Sequence, residues 1–188
     1  MLAVLAEATR GGVVESVHHG VIAVANTTGD LVAGVGDPST FAFFRSAAKP
    51  FQAIPVIESG AADRFGFTPA ELALCCASHY GEPLHQRQIA VMLAKLGLTD
   101  AALQCGIAAP MDTAEAARIG AGLLPPTPRQ SECSGKHTGM LASCLALGYP
   151  LESYLEPDHP LQRRILTIVS EVLRLPENEI VVGIDGCG

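Results

Sequence analysis

From residue 45 onward the chain is punctuated at short intervals by helix start and stop signals, which commits most of its length to a series of short packed helices. The clearest is Thr68-Pro69-Ala70-Glu71: a capping residue, proline at the first helical position and a glutamate three residues after the cap. It predicts a helix to about Ala77. His85 to Leu96 reads as a helix halted at Gly97. Thr113 to about Ile119 reads as a shorter one before the stiff Pro125-Pro126-Thr127-Pro128 connection, and the segment around Cys133 opens a helix to Leu147 with Gly148 as its stop. Asp158-His159-Pro160 begins a last helix through Leu175, and another starts around Ser46, with Pro50 tolerated in its first turn. Ahead of these, Val13 to Val24 alternates as a strand, and the turn Asn26-Thr27-Thr28-Gly29-Asp30 leads into residues 31–36, giving an antiparallel hairpin. The apolar run from Ile180 predicts a buried strand that ends in a glycine turn at Gly186-Cys187-Gly188. The fold class expected is α/β, a sheet flanked by helices, in one domain over residues 1–188.

Charge and hydropathy narrow the function. A net charge of -7 leaves no basic stripe for a nucleic-acid backbone. Apolar runs fall short of the roughly 18 residues that a membrane-spanning helix needs. The start, Met1-Leu2-Ala3-Val4-Leu5-Ala6-Glu7, has neither the basic leader nor the apolar length of a secretory signal. A cytoplasmic protein without nucleic-acid or membrane partners is expected. In that compartment adjacent Cys75-Cys76 argues against a disulfide framework, so Cys75, Cys76, Cys105 and Cys144 read as buried small hydrophobes. Cys133 and Cys187 differ because of their neighbours.

Chemistry concentrates in Cys133-Ser134-Gly135-Lys136-His137, which puts a thiol, an amine and an imidazole within five residues. Lysine is scarce: Lys49, Lys95 and Lys136 are the only three, against nine arginines. Lys136 follows Cys133 by three residues and Lys49 follows Ser46 by three. On a helix that spacing shares a face, so a desolvated Lys49 amine can take the Ser46 proton; a solvated helix start explains the same pair without chemistry. Arg45 reads either as a partner for a carboxylate ligand or as a surface cation. Cys133-x-x-Lys136-His137 with Asp185-x-Cys187 suggests zinc, although lysine ligates only when neutral; a buried Cys133 with a capping Ser134, or a reactive thiolate at a helix start, are the alternatives. Ser78, in Ala77-Ser78-His79-Tyr80-Gly81-Glu82, is either a second nucleophile or a turn residue, and His79 and His85 are candidate acid-base groups or satisfied histidines.

Taken together, Phe44-Arg45-Ser46-Ala47-Ala48-Lys49-Pro50, Cys76-Ala77-Ser78-His79-Tyr80-Gly81-Glu82, Cys133 to Met140 and Ile184-Asp185-Gly186-Cys187-Gly188 resemble the thermolabile, rhizobial-type (class 3) L-asparaginase II family. The resemblance implies hydrolysis of L-asparagine to L-aspartate and ammonia, on a fold similar to glutaminases and serine β-lactamases, in a homodimer. It implies that Ser46 and Lys49 form one Ser-Lys pair and that Ser78 is the serine of a second. Its lysine is expected beyond Gly188, in a C-terminal part that this chain lacks. It further implies that Cys133, Lys136 and Cys187 hold zinc, with Arg45, His137 and Asp185 on the substrate. Ser46 is the favoured nucleophile, because its lysine is visible. The rival readings are a glutaminase-like amidohydrolase of the S-x-x-K kind and a non-catalytic zinc-binding fragment.

Overall fold

Gly11 and Gly12 both take positive φ, 57° and 82°, which only glycine adopts without cost. They close a two-residue turn between strands β1 (Ala3–Arg10) and β2 (Val13–Gly20), paired antiparallel from Arg10 opposite Val13 to Ala3 opposite Gly20. A second hairpin joins β3 (Ile22–Ala25) to β4 (Leu31–Val35). Its turn is organised by Asn26, whose Oδ1 accepts from the Thr28 N–H at 3.0 Å and the Asp30 N–H at 2.9 Å. The alternation over 13–24 therefore belongs to two strands in two separate sheets, and β1 is a strand that the sequence pattern does not reveal.

The structure is a computed structural model of the protein and describes residues 1–184. The chain divides into two compact units, Met1–Phe44 and the segment from Arg45 onward. All the described strands lie in the first and all seven described α-helices in the second, so the protein is of mixed α/β composition.

The second unit follows its punctuation closely. A tight 3-10 turn over Arg45–Ala48 leads into α1 (Lys49–Glu58), with proline in its first turn, and α2 (Ala61–Arg64) is a single turn. α3 (Pro69–Cys76) carries the full capping box, the Thr68 side chain accepting from the Glu71 N–H at 3.3 Å and Glu71 Oε2 from the Thr68 N–H at 2.6 Å. α4 (Pro83–Leu96) stops at left-handed Gly97, and α5 (Thr113–Gly120) is capped by Asp112. α6 (Ser134–Leu147) stops at left-handed Gly148, and α7 (Pro160–Leu173) is capped by His159, whose ring accepts from the Leu161 N–H. Residues 181–184 form no strand. An extended segment becomes a strand only when a neighbour completes its ladder, and no strand lies beside it among the described residues of this unit.

α6 is the axis of the core, packing against α1, α2, α3, α4 and α7, with every residue from Ser134 to Cys144 buried. Such a helix has no solvent face on which to place polar groups. Thr138 and Ser143 satisfy their hydroxyls by donating to the carbonyls one turn back, Ser134 O at 2.8 Å and Gly139 O at 3.0 Å. Gly135 permits a close approach: a Cβ there would overlap the Leu74 carbonyl oxygen on α3. Lys95 is structural, its ammonium 2.7 Å from Oε2 of the fully buried Glu71 and 2.7 Å from Gly66 O. Burial pushes the Glu71 carboxyl up, but the hydrogen bonds from Lys95 and Thr68 outweigh it and hold the group below its ordinary value. Cys75, Cys105 and Cys144 are buried as expected, whereas Cys76 is half-buried; burial pushes the three buried thiols up, to about 12 for Cys75 and about 11 for Cys144, which leaves them inert.

Candidate active site

Lys49 heads α1 with its side chain turned inward, only 2% exposed. A buried amine is unfavourable unless its hydrogens find acceptors. Lys49 Nζ lies 2.7 Å from Ser78 Oγ and 3.2 Å from the backbone carbonyl of Glu132. Ser78 sits just past α3, where Ala77 turns extended and releases the chain into a loop. The serine is exposed and the amine bonded to it is buried, so an accessible oxygen has a shielded proton acceptor.

The lysine expected to serve Ser46 therefore bonds to Ser78. Ser46 is exposed on the 3-10 turn, and the α-helix begins only at Lys49, with Ala48 as its cap. The lysine side chain follows the buried side of α1 towards the loop after α3. Arg45, immediately before Ser46, is exposed and holds φ at 52°, a left-handed conformation uncommon for a residue with a side chain.

The loop after α3 is fastened to the start of α6. His79 is buried, and its Nδ1 accepts from the Gly81 N–H at 3.1 Å, so in the neutral ring the hydrogen is on Nε2 and points at Ser134 Oγ, 2.9 Å away. Ser134 Oγ donates to Arg129 O at 3.1 Å. Burial, with the neighbouring His85 and Lys49, pushes the His79 imidazole down to about 4, which keeps it neutral near pH 7. The His79 backbone N–H donates to Glu132 O at 3.4 Å, the carbonyl that also accepts from Lys49.

Cys133 occupies the N-cap position of α6, and Lys136 and His137 lie in its first turn; all three are buried. Cys133 and Lys136 stand three residues apart at the head of this helix, the spacing at which side chains share a face. Tyr154 Oη accepts from the Gln104 N–H at 2.9 Å and shares a 2.6 Å hydrogen bond with His137 Nδ1, which fixes the orientation of that ring. Burial pushes the Tyr154 phenol up, so it keeps its proton near neutral pH. Among the described residues no three His, Cys, Asp or Glu side chains gather as a metal cluster, and Asp185 and Cys187 lie outside the described residues.

Sequence reasoning missed Tyr154, Gln104 and the Glu132 carbonyl. Backbone acceptors carry no residue signal, and a tyrosine in a loop has no periodicity to mark it. The Lys49–Ser78 pair and the thiol-amine tract nonetheless lie side by side, because Glu132 and Ser134, which flank Cys133, receive Lys49 and His79.

The chain belongs to the L-asparaginase II family, whose model matches residues 6–188. Membership places it with amidohydrolases of the L-asparaginase type, acting on a small molecule. No curated protein matches it. No described helix is long and apolar enough to cross a membrane.

Proposed function

We propose that this protein is an L-asparaginase that hydrolyses L-asparagine to L-aspartate and ammonia by acyl transfer, with Ser78 as the nucleophile and Lys49 as its base. The observation that carries this reading is the 2.7 Å contact between Lys49 Nζ and Ser78 Oγ. With Lys49 unprotonated, one of its hydrogens stays on Glu132 O and its lone pair faces the Ser78 hydroxyl. Ser78 Oγ bonds to the side-chain amide carbon while its proton passes to Lys49. Collapse of the tetrahedral intermediate breaks the C–N bond, and Lys49 returns the proton to the leaving nitrogen, releasing ammonia. Water then attacks the aspartyl ester, losing a proton to Lys49, and Ser78 is restored when that proton reaches its oxygen. Ser46 and Arg45, on the turn just ahead of Lys49, are assigned to the substrate in this scheme, Arg45 to a carboxylate.

Zinc belongs to the same reading as a proposal. The buried Cys133 thiol and Lys136 amine at the head of α6 suit it, and they would hold it together with Cys187. When bound, the metal would polarise or orient the substrate. His137, steadied by Tyr154, and Asp185 complete the substrate side. Cytoplasmic residence and a homodimer remain parts of the proposal.

Two measurements test it. Ammonia release from L-asparagine, with L-glutamine as the competitor, is expected to favour asparagine; no release from asparagine, or preference for glutamine, overturns the assignment. Metal analysis of Lys136→Ala is expected to show zinc content falling by most of its wild-type value, and unchanged zinc removes Lys136 from the site.

A further inference from the structure

His79 is the buried motif histidine that takes no part in the proposed chemistry. Each of its ring nitrogens is committed: Nδ1 takes the Gly81 N–H at 3.1 Å, and Nε2 faces Ser134 Oγ at 2.9 Å. The Ser134 hydroxyl in turn gives its hydrogen to Arg129 O at 3.1 Å, so it can only accept from the imidazole. The backbone of the same residue donates to Glu132 O at 3.4 Å, beside the Lys49 amine at 3.2 Å on that oxygen. The His85 ring stacks over the imidazole with centroids 5.1 Å apart and closes one face of it. The ring therefore has no hydrogen or lone pair left for a substrate.

We infer that His79 is a positioning residue for Ser78, tying the loop that carries the nucleophile to the first turn of α6 and thereby setting the approach of Ser78 to Lys49. The tether is short. One peptide bond separates the anchored residue from Ser78, and of its two anchor points, Glu132 and Ser134, the Glu132 carbonyl also holds Lys49. A small displacement of His79 thus moves the hydroxyl relative to the amine while leaving groups that hold the substrate in place. The depressed imidazole, at about 4, suits a positioning role, because a neutral ring keeps the Nδ1 lone pair that takes the Gly81 N–H.

This inference rests on the reading of Ser78 as nucleophile. In the full chain, His79→Ala is expected to lower kcat on the order of 100-fold, with KM within about threefold, because misplacement of a reacting group by about 1 Å costs that much. His79→Gln, whose amide can still donate to Ser134, is expected to recover about tenfold of the loss, and adding Ser134→Ala to His79→Ala to cost nothing more, since both remove one tether. A folded His79→Ala with kcat within about twofold of wild type, or a loss confined to KM, overturns the inference. If His79→Ala does not fold, Ser134→Ala carries the test: kcat about tenfold down with an unchanged melting temperature supports it, and unchanged kcat overturns it. The parent reading fails separately, through full turnover by Ser78→Ala. An inactive Ser78→Ala beside an unimpaired His79→Ala leaves that reading standing and removes only the tether.

Discussion

Two segments bring a serine towards the same lysine, and they are built differently. Ser46 lies on a tight, exposed turn that begins with a left-handed Arg45, three residues ahead of Lys49 in the chain. Ser78 lies 29 residues away, on a loop fastened by His79 to Glu132 and Ser134, and it is the serine that Lys49 touches. The difference teaches that spacing along a helix proposes a partner but burial selects one. The amine of Lys49 must satisfy its hydrogens inside the protein, and the acceptors available there are Ser78 and a carbonyl at the head of α6.

The sharpest way to break this contrast is to remove each hydroxyl in turn. Ser78→Ala is expected to reduce kcat for asparagine on the order of 10⁴-fold, as loss of a catalytic nucleophile does, measured by ammonia release. A smaller loss than that of Ser46→Ala reverses the assignment of the two serines. The next effect is on stability. Gly135→Ala forces a methyl into the Leu74 carbonyl, and chemical denaturation is expected to show a loss of roughly 3 kcal/mol, since overpacking a tight core contact costs about that much. Because that contact joins α3 to α6, activity should fall with it, and a variant of wild-type stability and turnover denies that the helix pair sets the Ser78 geometry.

Acid unfolding sharpens the comparison further. The folded His79 ring titrates near 4, below its ordinary 6.5, so between those values the unfolded chain binds a proton that the folded one refuses. Its contribution is complete above 6.5 and is lost as pH falls towards 4, about 3 kcal/mol in all for a shift of that size. Glu71, also depressed, adds a loss at lower pH, below its ordinary value of 4.5. Denaturation midpoints of His79→Gln are expected to vary less with pH over that window than those of wild type, and equal slopes contradict a neutral buried ring. The smallest effect falls on the exposed turn: Ser46→Ala is expected to change stability by less than about 0.5 kcal/mol, read in the same denaturation series.

Much of the helical unit was legible because its signals are local. Thr68 to Glu71, Gly97, Gly148 and His159-Pro160 act on the backbone within one turn, and the helices start and stop where they say. What is set by distant packing was not legible. The alternation through 13–24 could not show that the chain changes sheets at Val21, and the apolar residues after Ile180 could not show whether a neighbour would pair with them. In the site, the sequence marked Lys49, Ser78, Cys133, Lys136 and His137 through residue type and spacing. It could not pair Lys49 with Ser78, because a contact between the head of α1 and the end of α3 leaves no period in the sequence. Nor could it show that Gly135 in the motif serves the packing of α6 against α3.

The central claim, that Ser78 attacks with Lys49 beneath it, is tested most directly by trapping the acyl-enzyme. Acid quench during turnover of an activated side-chain ester or hydroxamate of aspartate, followed by peptide mapping by mass spectrometry, locates the aspartyl adduct. The account predicts the adduct on Ser78, and its accumulation at the quench should drop sharply in Lys49→Met. An adduct on Ser46, or undiminished acylation of Ser78 without the lysine, contradicts it.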